Sequence, residues 1–350
     1  SSFCEDLHLM SGIRLRLLGA FLMAVSGAAL AFERAPELQL ESALPLDGMP
    51  RGNLSALQRC DGRLLAVSDR EDSSLFVLQR AEDSYQAEVE AFLLPAQAPS
   101  MLPVQLLAGA WLRGLSGPAL DFEGLACDSE GNRYLVSESQ LGVLRLPPSA
   151  EQAVTGEWLT LDATVYTEGE ARGLWQQINA LAEGIAVDAE AGTLWLAAER
   201  QARGLIKLQR QGDEWKCPLA GCVLLAERRF LPTEPFGPGI LNREVMPVDF
   251  SDLVFWQGRL WTLERNAHQV CRRNPLSGKR ERCWSFAQSV LVEPYFYPDA
   301  PFGLAEALLI SDDGIIIGLD NNGRARPDGD KRPWLFHFAL PDDWREGYQP

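Results

Sequence analysis

Asp121 to Pro147 reads DFEGLACDSEGNRYLVSESQLGVLRLP, and its pattern returns four more times along the chain. An acidic or hydroxyl residue opens an apolar run, a glycine turn follows, a second apolar run ends in a polar cluster, and a third short run closes the unit. The other copies are LSALQRCDGRLLAVSDREDSSLFVL from Leu54, AEGIAVDAEAGTLWLAAERQARGLIKL from Ala182, FSDLVFWQGRLWTLERNAHQVCR from Phe250 and AEALLISDDGIIIGLDNNGR from Ala305. Self-similarity at this scale marks a repeat architecture. The openings at Ser55, Glu123, Glu183, Asp252 and Glu306 lie 68, 60, 69 and 54 positions apart. That spacing is too long for a solenoid and long enough for one four-stranded antiparallel sheet per copy, which predicts an all-β fold, a β-propeller. Five blades are favoured; a degenerate sixth would have to lie in Leu94 to Pro118 or Pro232 to Val248.

A chain of 350 residues, 46% hydrophobic, with 30 glycines and 22 prolines supplies both a large core and many turns. Glu37 to Leu46 alternates apolar and polar residues as an edge strand does and is expected to close the ring beside Trp334 to Leu340. Ser84 to Leu94, Glu157 to Asp162, Cys222 to Leu231 and Cys283 to Phe286 are the candidate outer strands.

The first 31 residues read as a leader, with translation starting at Met10. Arg14 and Arg16 precede the apolar run Leu17 to Ala24, and Ala29-Leu30-Ala31 has the small-x-small form of a cleavage site. The run is short for a membrane helix and contains Gly19. A secreted or periplasmic protein is therefore expected, with residues 32–350 as a single propeller domain. Removing Glu5, Asp6, Arg14 and Arg16 leaves the net charge at −16. So acidic a surface argues against nucleic acid and, once the leader is gone, against membrane, and it suits bound cations. A monomer acting on a small molecule is the expectation.

Six cysteines follow the leader, an even number that fits an oxidising compartment. Cys217 with Cys222 and Cys271 with Cys283 are the expected disulfides. Cys60 and Cys127 sit at comparable places in neighbouring copies and either pair across blades or remain buried thiols.

Hairpin geometry sets the residue that opens a first strand opposite the one that closes the second. Ser55 then lies near Asp69 and Arg70, Glu123 near Glu138, Glu183 near Glu199 and Arg200, Asp252 near Glu264 and Arg265, and Glu306 near Asp320, Asn321 and Asn322. With the first strand innermost, Ser55, Glu123, Glu183, Asp252 and Glu306 ring the channel mouth. Converging carboxylates repel one another unless a cation neutralises them. An oxygen-only ring suits Ca²⁺, whereas hydrogen bonding to neighbouring blades is the structural alternative. Arg70, Arg200 and Arg265 each follow a closing carboxylate; they are read either as phosphate clamps or as ion pairs to the preceding blade's carboxylate. Glu199, Glu264, Arg200 and Arg265 are the candidate catalytic groups, and Asp69, Arg70, Glu138, Asp320, Asn321 and Asn322 the candidate substrate rim. Trp175 is a candidate for the pocket wall, Asn179 for the channel mouth and Trp261 for the inter-blade core. Turn residues Asp61, Glu130 and Asp313 belong to the opposite face.

The motifs DFEGLA, AEGIAV, FSDLVF with LWTLERN, and AEALLI with GLDNN resemble those of the esterase-like, phytase-like propellers of secreted bacterial proteins, from about Leu54 to Leu340. That resemblance implies a calcium-associated propeller and hydrolysis of phosphate esters. A weaker likeness, to the calcium-activated nucleotidases, implies one central calcium held at positions matching Ser55, Glu123, Glu183, Ser251 and Glu306. Ala56 stands where that pattern has an acidic residue, which puts one ligand in doubt and leaves Asp252 as its replacement. No GxSxG elbow, HExxH pair, Gly-rich phosphate loop or EF-hand occurs. Three functions follow: a Ca²⁺-dependent hydrolase of phosphate esters, a non-enzymatic ligand- or protein-binding propeller with structural calcium, and a lactonase.

Overall fold

The computed structural model describes residues 35–350 apart from 97–101, 104–119, 151, 178–180, 189–191, 201, 233–244, 301 and 348–350. The leader, most of the two long connections and Asn179 lie outside the described residues.

Each copy of the repeat forms an antiparallel sheet. After β1 (Leu40–Asp47), the first holds β2 (Ala56–Cys60), β3 (Arg63–Val67), β4 (Ser74–Arg80) and β5 (Tyr85–Ala91). The second holds β6 (Phe122–Cys127), β7 (Arg133–Ser137), β8 (Gly142–Leu146) and β9 (Glu157–Trp158). The third runs through β11 (Ala182–Asp188), β12 (Thr193–Ala198), β13 (Arg203–Gln211) and β14 (Glu214–Lys216), with β10 (Thr160–Leu161) beyond β14 and β15 (Val223–Glu227) also on β13. A small hairpin of β16 (Phe230–Pro232) and β17 (Val245–Pro247) precedes the fourth, β18 (Asp252–Trp256), β19 (Arg259–Glu264), β20 (Gln269–Arg273) and β21 (Arg280–Ser285). The last comprises β22 (Ala305–Ser311), β23 (Gly314–Leu319) and β24 (Trp334–Phe338), completed by β1.

The first strands of these sheets touch in a cycle, β2 to β6 to β11 to β18 to β22 and back to β2, so the described blades surround one axis and the fold is a β-propeller. As expected from its alternation, β1 pairs with β24, Ala43 opposite Phe336, which fastens the start of the described chain to its end. It also meets β5 in parallel over Leu46 and Asp47.

Burial falls off outward from the axis. Every residue of β12, β19 and β23 is buried, whereas β5 buries only Tyr85. Second strands are covered on both faces by adjacent blades and read as predominantly apolar, with polar residues mostly at their ends, as in RYLVS and RLWTLE; outer strands face water and read as mixed. The cores lie between blades: Trp261 is fully buried in a cluster that includes Leu308, Ile310 and Ile317 of the last blade, the inter-blade role expected of it, while Trp284 of its own blade stacks on it at 5.4 Å.

Trp175 is placed differently from expectation. It is buried under the helix Thr164–Ala171, stacked on Tyr166 at 6.0 Å with Gly169 against its ring, so it packs the third blade rather than walling a pocket. Both expected disulfides are formed, and Cys60 pairs with Cys127, which ties the first blade to the second across a Cα separation of 5.9 Å. No described helix is long and apolar enough to cross a membrane.

Candidate functional site: an acidic ring at the propeller axis

The site begins with one backbone device used three times. In β6 the register slips between Phe122 and Gly124, in β11 between Ala182 and Gly184, and in β22 between Ala305 and Ala307. Each slip is a bulge, and the extra residue is Glu123, Glu183 or Glu306. A bulged residue leaves the alternation of its strand and its side chain is re-aimed. After Glu123 and Glu183 the next residue is a glycine, which lets the inner strands close up, whereas Ala307 follows Glu306. A Cβ on Gly184 would stand 2.7 Å from the Leu253 amide nitrogen, and one on Gly124 would stand 3.0 Å from that of Ile185. The Glu-Gly pair thus aims a carboxylate and narrows the ring in one step.

The second strands deliver the other side of the cluster. Asp69, Glu138, Glu199 and Asp320 follow the ends of β3, β7, β12 and β23, and Asp121 and Asp249 stand just before β6 and β18. Glu123 feels Asp121, Asp69, Glu138 and Glu306; Glu183 feels Glu199, Glu123 and Glu138; Glu306 feels Asp320, Glu199 and Asp249. Two sets of three bring ligand oxygens within 4.8 Å of one another: Asp69, Asp121 and Glu123, all half-buried, and Glu138, Glu183 and Glu199, all buried.

The only fully buried cation reaching this ring among the described residues is Arg265. Its Nε donates to Asp249 Oδ2 at 2.9 Å, and its terminal nitrogens bond Glu199 and Glu306. Arg200, about one-third exposed, bonds Glu199 at 3.1 Å, and Arg70 bonds Asp69 at 3.3 Å on the rim. Arg265 pairs with Glu199 of the preceding blade, as the ion-pair reading has it, and sits too deep to be a surface clamp, whereas Arg70 and Arg200 pair with the carboxylate just before them in their own blade.

Burial, and then the neighbouring charges, shift the carboxyls upward. Glu123 and Glu183 are raised well above the usual range, Glu306 to about 8 despite Arg265, Asp320 to about 7 and Asp69 to about 6. The donor set is oxygen throughout, with Ser55 and Asn53 alongside: the Ser55 hydroxyl accepts from the Asp69 amide at 3.1 Å, and the Asn53 side chain donates to Asp320 at 3.2 Å. A hard divalent cation fits such a set.

Several expected site residues lie elsewhere or act differently. Asp252 has no bulge beside it; its carboxylate is buried and accepts the amides of Leu253 and, across the blade boundary, Leu308, both at 2.7 Å. Ser251 likewise donates to the Ala305 carbonyl at 2.8 Å. In the fourth blade these two positions latch blades together, the structural alternative, while Asp249 supplies the carboxylate to the ring. Glu264 is buried away from the ring between Arg203 (3.0 Å) and Arg273 (2.7 Å), which flank the ring of Phe250 and, against its burial, hold its carboxyl down at about 2. Asn321 braces the following loop, donating to the carbonyls of Lys331 and Arg332, and Asn322 turns the chain in a left-handed conformation. Glu138, besides joining a triad, accepts the Leu181 amide at 3.2 Å.

Asp121, Asp249 and Asn53 were missed by hairpin reasoning because they precede their strands. The signal was present in the shared Asp-Phe of DFE and DFSD, two residues ahead of Glu123 and Ser251, a position that Asn53 holds ahead of Ser55.

Fold and site together define a β-propeller whose axis is lined by carboxylates. The chain belongs to the phytase-like family: residues 49–289 match the family described as esterase-like activity of phytase. No curated protein matches the chain. Solved structures with a similar fold include the PQQ-bound aldose sugar dehydrogenase of Streptomyces coelicolor, 13% identical, covering 87% of this chain and 99% of its own, TM-score 0.42. Virginiamycin B lyase of Staphylococcus aureus is 8% identical over 86% of this chain and 100% of its own, TM-score 0.37, and glutaminyl cyclase of Myxococcus xanthus 14% identical over 60% and 67%, TM-score 0.31. At these identities the likeness concerns the fold alone.

Two outcomes follow. Removing Arg265 leaves Asp249 and Glu306 without the guanidinium they share and Glu199 with Arg200 alone, so Arg265→Ala is expected to lose about 3–5 kcal/mol of stability in denaturant titration at neutral pH, against at most about 1 kcal/mol for Arg200→Ala. The second concerns pH. Carboxyls raised in the folded state retain protons that the unfolded chain has released, so their destabilising effect is absent below the unfolded values of 3.8 and 4.5 and grows as pH rises through about 6, 7 and 8. In chelator, the melting temperature should therefore fall between about pH 4.5 and 8, and added Ca²⁺ should flatten that slope. A chelated protein equally stable across this window would contradict the raised carboxyls.

Proposed function

We propose that this chain is a Ca²⁺-dependent hydrolase of small-molecule phosphate esters that works in an oxidising compartment outside the cytoplasm. The observation that supports it most is the pair of oxygen triads on one axis, Asp69–Asp121–Glu123 on the open side and Glu138–Glu183–Glu199 beneath it. A phosphate approaching these carboxylates without a cation would be repelled, so an anionic substrate and this site are compatible only through bound metal. Bound there, Ca²⁺ would supply charge neutralisation and polarise the phosphoryl oxygens. Glu123, Glu183 and Glu306, with Asp69 and Asp121, are the residues that would hold it.

The remaining tasks fall to this chain's own side chains. Arg200 and Arg70 present partly exposed guanidinium forks at the rim, suited to orienting a phosphate. Asp320, held by Asn53 and by the Asn322 amide at 2.7 Å, has a proton affinity near neutrality, as a group that takes a proton from water needs. Three disulfides support the oxidising compartment. The second reading, a ligand-binding propeller with structural calcium, draws support from Asp252, which latches a neighbouring blade.

Turnover of p-nitrophenyl phosphate and bis-p-nitrophenyl phosphate, with Ca²⁺ and with chelator, separates the readings. Hydrolysis that drops at least about 10²-fold in chelator, and comparably in Arg200→Ala with folding intact, is the expected result. Inertness toward both phosphate esters, with or without turnover of a lactone or carboxyl ester, would overturn it.

A further inference from the structure

A second concave site lies at the turn end of the hairpins, remote in register from the acidic ring, in the cleft between the first blade and the last. It encloses about 840 Å³. One wall comes from the first blade: Arg59 and Arg63 at the turn joining β2 to β3, and Arg80 at the turn joining β4 to β5. The other comes from the last blade: Glu41 at the register slip of β1, and Asp313 at the turn joining β22 to β23. Tyr85 and His337 form a floor that spans the blade boundary, their rings stacked 5.7 Å apart at 4° and the phenol oxygen 3.2 Å from His337 Nε2.

Arg63 aside, the charges on these walls are not taken up by ion pairs within the fold. Arg63 is paired with Glu90 at 2.6 Å. Among the described residues Arg59 and Arg80 have no ion-pair partner, and neither do Glu41 and Asp313. The Tyr85 phenol feels both Arg80 and Arg59, so the two guanidiniums converge on the floor. Burial, and then Arg80, hold His337 down at about 4, so the floor is uncharged at neutral pH.

We propose that this cleft binds a small zwitterion, its carboxylate or phosphate on Arg59 and Arg80, its ammonium on Glu41 and Asp313, and its apolar body on the Tyr85–His337 stack. A plain anion would meet Glu41, Asp313 and a chain of net charge −16, and a plain cation would meet the arginines. A zwitterion of no net charge escapes the long-range repulsion and satisfies both walls, and its body gains an aromatic face.

The test is calorimetric titration of the intact protein with 6-aminohexanoate, beside hexanoate and hexylamine as single-charge controls. These probes carry no phosphate ester, so the outcome is independent of the acidic ring. The expected result is affinity for 6-aminohexanoate at least about tenfold above either control, lost about tenfold or more both in Arg59→Gln/Arg80→Gln and in Glu41→Gln/Asp313→Asn. All four side chains are exposed, so both variants should melt with the parent. Absence of binding, equal affinity for a control, or affinity unchanged in either variant would overturn the proposal.

Discussion

The structure turns on an electrostatic imbalance. Asp69, Asp121, Glu123, Glu138, Glu183, Glu199, Asp249, Glu306 and Asp320 form one linked cluster from all the described blades, and among the described residues Arg265 is the one guanidinium buried in it. Removing ionised carboxylates from water is costly unless protons or cations join them. The raised carboxyls are the proton solution; a bound divalent cation would be the other. Arg265 fixes where the imbalance stays tolerable, because it joins the third, fourth and last blades at once.

The backbone makes this concentration of charge possible. The bulges at Glu123, Glu183 and Glu306 send carboxylates inward while the flanking apolar residues of the same strands continue to pack between blades. Where the bulge is missing, at Asp252, the carboxylate turns to the neighbouring blade's amides and becomes part of the ring's mortar. One repeat position thereby lines the axis in three blades and provides cohesion in a fourth, decided by one inserted residue.

Sequence made the fold legible because the second strands are predominantly apolar and each inner hairpin carries its glycine turn, at Gly62, Gly131, Gly192, Gly258 and Gly314. It made Glu123, Glu183 and Glu306 legible because the hairpin register places them beside Glu138, Glu199 and Asp320. Two things were hidden. Hairpin reasoning counts residues one to one and cannot see a bulge, so Asp252 looked equivalent to Glu183. It also cannot say how deep a side chain lies, so Arg265 and Arg200, each following a closing glutamate, looked alike; one is buried among three carboxylates and the other opens to solvent. Glu264 was misplaced for the same reason, since its partners Arg203 and Arg273 come from a neighbouring blade and from the next strand.

The most direct test of the acidic ring as a cation site is anomalous scattering from crystals grown with Ca²⁺ near pH 8. Anomalous density on the propeller axis, within coordination distance of about 2.3–2.6 Å of oxygens from Glu123 or Glu183, is the predicted result. A map with no axial density, in which these carboxylates hydrogen-bond one another across the channel as protonated pairs, would contradict it.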